Sequence, residues 1–376
     1  MQSVPPFNPV SSEPGIAVII GTRPEAIKMA PVIIAARDAG LPTSLVTTGQ
    51  HGEMCDDALA AFGLSAAHRL AIPRRADGLE AREAAIEAAV GSWLAIARPG
   101  LVLVQGDTSS AYAAALAARS LGIPLGHVEA GLRSYDMDRP FPEERYRVAI
   151  DRIAALLFAP TPEAAANLGA DRAVRGQVLI TGNTVIDALL TMRARLPPAP
   201  PDPRRLVLVT CHRREAIGDG IDGICAAVAR LAARDDVRIL LPLHPNPAIR
   251  APVQAALRDV PQVTLSDPLP YPEWVAAMSA AHLILSDSGG MQEEAPALGV
   301  PLLVLREVTE RPEGLASGSL RLVGTNADRI VAAATRLLDD PRAYAAMAVP
   351  RFPFGRGRAA RHIIKACLHY LRARSR

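Results

Sequence analysis

Ile16-Ala17-Val18-Ile19-Ile20-Gly21-Thr22-Arg23-Pro24-Glu25-Ala26-Ile27-Lys28 is the stretch on which the fold turns. Five apolar, mostly β-branched residues predict a strand buried on both faces. Gly21 permits a tight turn and Pro24 pre-sets a first helical turn, so a helix is predicted over residues 25–39. A buried strand running straight into a helix opens a βαβ unit. The alternation continues outward, with strands predicted at 43–48, 101–105 and 124–128 and an Ala-rich helix at 111–120. It pauses at Leu196–Pro203, where the prolines exclude helix and central strand and predict a stiff connector at or just past a domain junction. It then restarts, with strands predicted at 206–210, 237–241, 263–266, 283–286 and 301–305 and a helix at 220–234. The expected fold class is α/β, with two Rossmann-type doubly wound domains in series over 15–185 and 186–356. Residues 1–14, rich in Pro and Ser, are expected to be a disordered extension. A final helix at 358–372, within 357–376, is read as crossing back to the first domain.

A chain of 376 residues, 49% of them apolar, exceeds one ordinary core and suits two domains of roughly 180 residues. The formal charge of +3 gives no ground for a nucleic-acid or membrane-surface partner. The basic excess from Arg351 to Arg376 reads as a solvated helix and tail. Cys55, Cys211, Cys225 and Cys367 are far apart, with no Cys-x-x-Cys and no His clustering, which predicts reduced thiols and no metal site. The opening Met-Gln-Ser-Val-Pro-Pro-Phe is unlike a secretory signal, and no apolar run reaches the ~18 residues of a membrane helix. A soluble, cytoplasmic protein is expected.

Open parallel sheets bind ligands at the carboxyl ends of their strands, so the residues just after strands carry the information. After the first strand, Arg23 and Lys28 would face the strand end beside unsatisfied backbone N–H groups, which suits an anion. An ordinary turn with solvated charges is the plain alternative. Asp107, in Gln105-Gly106-Asp107-Thr108, reads equally as a helix N-cap. Glu129 is an acid at an apolar strand end, unfavourable there without a role or a partner. Glu143, with Glu144, opens a helix, where acids favour the dipole without further function. Convergence of Asp107, Glu129 and Glu143 at one rim would instead supply both an acid and a base. In the second half, His212 follows a strand among cationic neighbours. Ser288, Gly289 and Gly290 lead into a helix and offer bare N–H groups to a phosphate. Glu294, one turn on, would accept from a ribose diol, and His244 and Arg311 are further candidates. There is no Gly-x-Gly-x-x-Gly after a strand, no Gly-Lys-Ser/Thr loop, no Gly-x-Ser-x-Gly elbow and no His-Glu-x-x-His. By themselves the residues give two α/β domains with a phosphate-binding site in the second.

Four blocks carry a resemblance. Gly21 through Pro31, Gly126 through Arg133, Ile180 through Leu189 and Ser286 through Pro296 look like the non-hydrolysing bacterial UDP-N-acetylglucosamine 2-epimerases. The likeness runs in order from about Ile16 to Arg361. It implies a GT-B-like fold with the active site in the cleft between the domains, a UDP-sugar substrate, a homodimer, and neither metal nor nicotinamide cofactor. It also implies interconversion of UDP-N-acetylglucosamine and UDP-N-acetylmannosamine for envelope polysaccharide, by elimination of UDP to 2-acetamidoglucal and re-addition. Carried over by motif, Asp107, Glu129 and Glu143 are the acid/base groups, and His212 assists UDP departure. Arg23 and Lys28 look like nucleotide contacts, Ser288, Gly289 and Gly290 hold the diphosphate, Glu294 the ribose, Arg311 a further part of the nucleotide, and Trp274 stands beside the uracil.

The chain departs from the family pattern at Gln105, where His is common, and at Cys211 and Leu269, where Gly and Gln are common. It departs again at Phe354-Gly355-Arg356-Gly357, for the usual Tyr-Gly-Asp-Gly. Gln50-His51-Gly52-Glu53 matches only in part the block through which some members are activated by a second UDP-N-acetylglucosamine, and 73–81 departs, so activation is not expected. The rival readings are a 2-epimerase of a modified UDP-sugar, such as a diacetamido uronic acid, a GT-B glycosyltransferase, and an idle nucleotide-sugar sensor. The retained acids argue against the last two.

Overall fold

The computed structural model describes residues 15–72, 78–198, 200–211 and 218–374. The extension 1–14 and His212 lie outside them. The chain forms two compact units, Met1–Thr191 with Phe354–Arg376, and Met192–Pro353. The division falls inside the helix Thr184–Arg193, later than the 185/186 junction expected from the sequence, and leaves the proline-rich stretch just within the second unit.

The first unit is built on strands β1 (Ile16–Ile20), β2 (Thr43–Thr47), β3 (His68–Arg69), β4 (Leu101–Gln105), β5 (Leu125–Val128), β6 (Leu156–Ala159) and β7 (Gln177–Ile180). They pair in the order β3-β2-β1-β4-β5-β6-β7, all parallel. Every residue of β1, β2 and β4 is buried, which is why β1 and all of β4 but its last residue read as continuous apolar runs without alternation. The helices pack in two groups. Arg23–Asp38 meets Glu53–Ala60 and the C-terminal helix Ala359–Arg374, while Ser109–Ser120 meets Leu79–Ala97 and Glu143–Ile153. The C-terminal helix is also tied in by Asp187, whose carboxylate accepts the N–H groups of Ala359 at 3.2 Å and Ala360 at 3.0 Å. These are donors that a helix start leaves unsatisfied.

Register fixes the geometry that matters. Val18 pairs with Leu103 and Gln105 with Val128, so β1, β4 and β5 end level with one another. The turns after them, at Gly21, Gly106 and Glu129, are therefore neighbours.

The second unit holds β8 (Arg205–Thr210), β9 (Val237–Pro242), β10 (Val263–Ser266), β11 (Leu283–Ser286), β12 (Leu302–Val304) and β13 (Leu320–Leu322), again all parallel, in the order β10-β9-β8-β11-β12-β13. That is the doubly wound order in which the chain reverses direction beside its first strand. Its core joins Val207, Val209, Ile239 and Leu285 to Ile224 and Val228 of the helix Asp219–Ala232. Four strands were not predicted. β3 and β13 are too short to show alternation, β6 follows the helix Glu143–Ile153 after only two residues, with no turn residue to mark its start, and β7 is a half-exposed edge. Among the described residues no helix is long and apolar enough to cross a membrane.

Candidate active site

A doubly wound sheet opens a crevice where its strand order reverses, here between β1 and β4 and between β8 and β11. At the first of these a cavity of about 280 Å³ is lined by Thr22, Glu25, Lys28, Asp107, Glu129 and Arg147, among others.

Thr22 and Glu25 form a capping box that starts the helix Arg23–Asp38 two residues earlier than predicted. Glu25 Oε2 accepts the N–H of Thr22 at 2.7 Å and of Gly21 at 3.0 Å, and Oε1 accepts the Thr108 hydroxyl at 2.8 Å. The same carboxylate therefore staples the turn after β1 to the turn after β4. Burial pushes Glu25 above the ordinary carboxylate range, against the pull of these hydrogen bonds. Its spacing, Thr-x-x-Glu after a strand, was the sequence signal that could have found it.

Glu129 sits in the left-handed region at φ +67° with a side chain 6% exposed. The partner that a buried acid requires is present. Lys28 Nζ lies 2.6 and 2.8 Å from its two oxygens, and Gln105 Nε2 donates at 2.8 Å. Asp107 is bonded by Arg147, whose other amine stands 3.3 Å from Glu144 Oε2. Asp107 is not the helix cap its position allowed. Thr108 is, accepting the N–H of Ala111 at 3.0 Å. Glu143 opens the helix Glu143–Ile153 but is not among the residues lining the cavity, and its buried Oε2 has no partner among the described residues. Glu144 instead closes the preceding loop, accepting from Ser134 N at 3.0 Å and Tyr135 N at 3.2 Å.

Arg23 donates its backbone N–H to His51 Nδ1 at 3.3 Å. That ring lines the same cavity, and burial, with a smaller contribution from Arg82, lowers its pKa, in keeping with an accepting nitrogen. Beneath the floor, His127 bridges Gly106 and the buried Asp151. Gln105, Arg147, His127 and Asp151 were missed as site residues because their partners lie 18 to 40 positions away in the chain.

At the second reversal, Thr210 and Ser286 hydroxyls meet at 2.6 Å across β8 and β11. Ser286 Oγ also accepts the N–H of Ser288, and Ser288 caps the helix Gly289–Leu298. Gly289 and Gly290 form its half-buried first turn. A Cβ on Gly290 would meet only Ser288 Oγ at 3.8 Å and Glu294 Oε2 at 3.9 Å, so the helix start is sterically open. Glu294 is buried. Arg311 Nε donates to Glu293 Oε1 at 2.7 Å, so its charge is tied to the same helix. Trp274 is half-buried in the helix Tyr271–Ala280. His212 lies outside the described residues.

Both strand-order reversals thus carry the sequence blocks singled out above. Residues 34–368 match the family model for UDP-N-acetylglucosamine 2-epimerase. The chain belongs to that family. A probable UDP-N-acetylglucosamine 2-epimerase of Ralstonia nicotianae is 44% identical over 94% of this chain and 99% of its own length. The UDP-N-acetylglucosamine 2-epimerase of Escherichia coli K12 is 43% identical over 93% of this chain and 97% of its own. Among solved structures, the UDP-GlcNAc 2-epimerase of Neisseria meningitidis bound to UDP-GlcNAc superposes with a TM-score of 0.88, at 39% identity, over 94% of this chain and all of that one. The α/β class, with two Rossmann-type units in one chain that matches GT-B-like epimerase structures, is thereby shown.

Proposed function

We propose that the protein interconverts UDP-N-acetylglucosamine and UDP-N-acetylmannosamine, acting as a homodimer without metal or nicotinamide cofactor and supplying envelope or capsule polysaccharide synthesis. The observation that carries this reading is the placement of Asp107 and Glu129 on the level ends of β4 and β5, in one cavity with the ammonium of Lys28. Epimerisation at C2 needs a proton removed from one face and another delivered to the opposite face, which is work for two positioned carboxylates. In the first step the C2–H bond breaks to a carboxylate and the C1–O bond to UDP breaks, leaving 2-acetamidoglucal and UDP. In the second, a carboxyl returns a proton to C2 from the other side while the UDP oxygen re-forms its bond to C1. Glu143, at the start of the neighbouring helix, is the third acid of the set. Arg23 and Lys28 border the nucleotide on the side of the first unit.

The departing diphosphate needs charge stabilisation that strengthens as the bond breaks. The open helix start at Ser288, Gly289 and Gly290 suits it, and His212 is assigned to assist departure. Glu294 would take the ribose, and Arg311 and Trp274 the remaining nucleotide. The Neisseria relative was solved with UDP-GlcNAc bound, which supports the substrate assignment. Proton NMR with UDP-N-acetylglucosamine in heavy water tests it. Loss of the C2 proton signal together with a growing UDP-N-acetylmannosamine anomeric signal is expected. Bound but unexchanged substrate would redirect the assignment to a modified UDP-sugar.

A further inference from the structure

We propose that the buried His127–Asp151 pair is a positioning device that sets the separation of the two acid-bearing turns. The role rests on reading Asp107 and Glu129 as the proton-transfer groups. His127 is the third residue of β5, Asp151 lies in the helix Glu143–Ile153, and both side chains are fully buried. The Gly106 carbonyl can only accept, so His127 Nε2, 2.9 Å away, carries the hydrogen. On the other edge of the ring, Nδ1 lies 2.6 Å from Asp151 Oδ1. Asp151 Oδ2 in turn accepts the N–H of Gly131 at 3.2 Å and Arg133 Nη1 at 2.7 Å. One buried unit therefore grips the carbonyl directly before Asp107 and the amide two residues after Glu129.

Both turns need such a grip. Gly106, Glu129 and Gly131 have φ of +69°, +67° and +87°. A non-glycine residue such as Glu129 keeps that conformation only where its surroundings over-determine it. The far flank of the first turn is held independently, by Thr108 on Glu25. Stability alone does not account for the network, because a buried ionic cluster is usually no better for stability than well-packed apolar residues of the same shape. What it provides is direction, since one end of the linked pair holds the backbone carbonyl of Gly106 and the other the backbone N–H of Gly131, one in each acid-bearing turn.

The test uses His127→Phe, which removes both hydrogen bonds, and His127→Gln, whose amide can keep a donor near the Nε2 position. For His127→Phe, kcat of epimerisation should fall by about 100-fold, as for a reacting group misplaced by an ångström. KM should stay within about threefold, since substrate binding is retained. Amide hydrogen exchange should quicken in both turns, at 106–108 and 129–131. His127→Gln should recover most of kcat and the slow exchange at 106–108. Where His127→Phe fails to fold, Asp151→Asn takes its place with the same expectation. The proposal is overturned if the turns exchange as slowly as in the wild type. It is equally overturned if kcat and thermal stability fall while KM rises, with no recovery by glutamine. Should the unmodified protein show no exchange at C2, the assignment of the acids falls, and the hydrogen-exchange comparison still decides whether the pair holds the turns.

Discussion

Lys28 Nζ stands 2.6 Å from Glu129 Oε2 and 2.8 Å from Oε1, joining residues 101 positions apart in the chain. The contact gives Lys28 a structural task besides the nucleotide contact proposed for it, because its ammonium neutralises a buried acid that Gln105 can only hydrogen-bond.

The two should therefore behave as a unit. Lys28→Met and Glu129→Gln are each expected to lower kcat by ~10²-fold, with UDP affinity in Glu129→Gln near that of the wild type. The double variant should be little worse than the poorer single one, because contacting groups are not additive. Steady-state assays of the four proteins check this. Multiplying losses would show that the two residues serve separate steps.

Asp107→Asn should also lower turnover by ~10²-fold or more while calorimetry with UDP shows little change. Arg147→Ala, which removes the clamp on that carboxylate, should cost less, about 10-fold. If UDP affinity collapses in Asp107→Asn, the residue belongs to nucleotide binding and not to proton transfer.

Glu25 makes a pH prediction. Unfolded, it ionises near 4.5, and folded it keeps its proton to higher pH because burial disfavours the anion. The folded state then binds more protons above 4.5, so this stabilising contribution is complete below that value and is lost as pH rises through the folded pKa. Glu25→Gln removes the titration. Urea unfolding from pH ~5 upward should show the wild type losing stability faster than the variant, by at most ~1.4 kcal/mol per pH unit. Parallel curves would mean that Glu25 is ionised in both states throughout.

Gly131 cannot be replaced cheaply. Its φ is +87°, and a Cβ there would stand 2.2 Å from the Ala164 carbonyl oxygen. Gly131→Ala should cost ~2–4 kcal/mol, combining left-handed strain with displacement of packed backbone. Chemical denaturation measures it, and a cost under ~0.5 kcal/mol would show that the turn relaxes freely.

The alternation of apolar runs with helical stretches set the α/β class and the two sheets, and the position of Asp107, Glu129 and Ser288 just after strands marked the candidate site. These features are local, since burial imposes a period on each segment that neighbouring residues record. Family membership was equally legible, because the turns after the strands are spelled by contiguous blocks.

What the sequence by itself could not determine is which side chains meet. Lys28 turning to Glu129, Arg147 to Asp107, Arg311 to Glu293 and Asp187 to the start of the C-terminal helix are all tertiary facts. So is the parting of Glu143 from the cavity lined by Asp107 and Glu129. No local pattern encodes these pairings, because they depend on sheet register and helix docking, which bring level the ends of strands far apart in the chain. The level endings of β1, β4 and β5 brought Lys28 and Gln105 to the buried acid Glu129, and only the folded sheet could supply that cation.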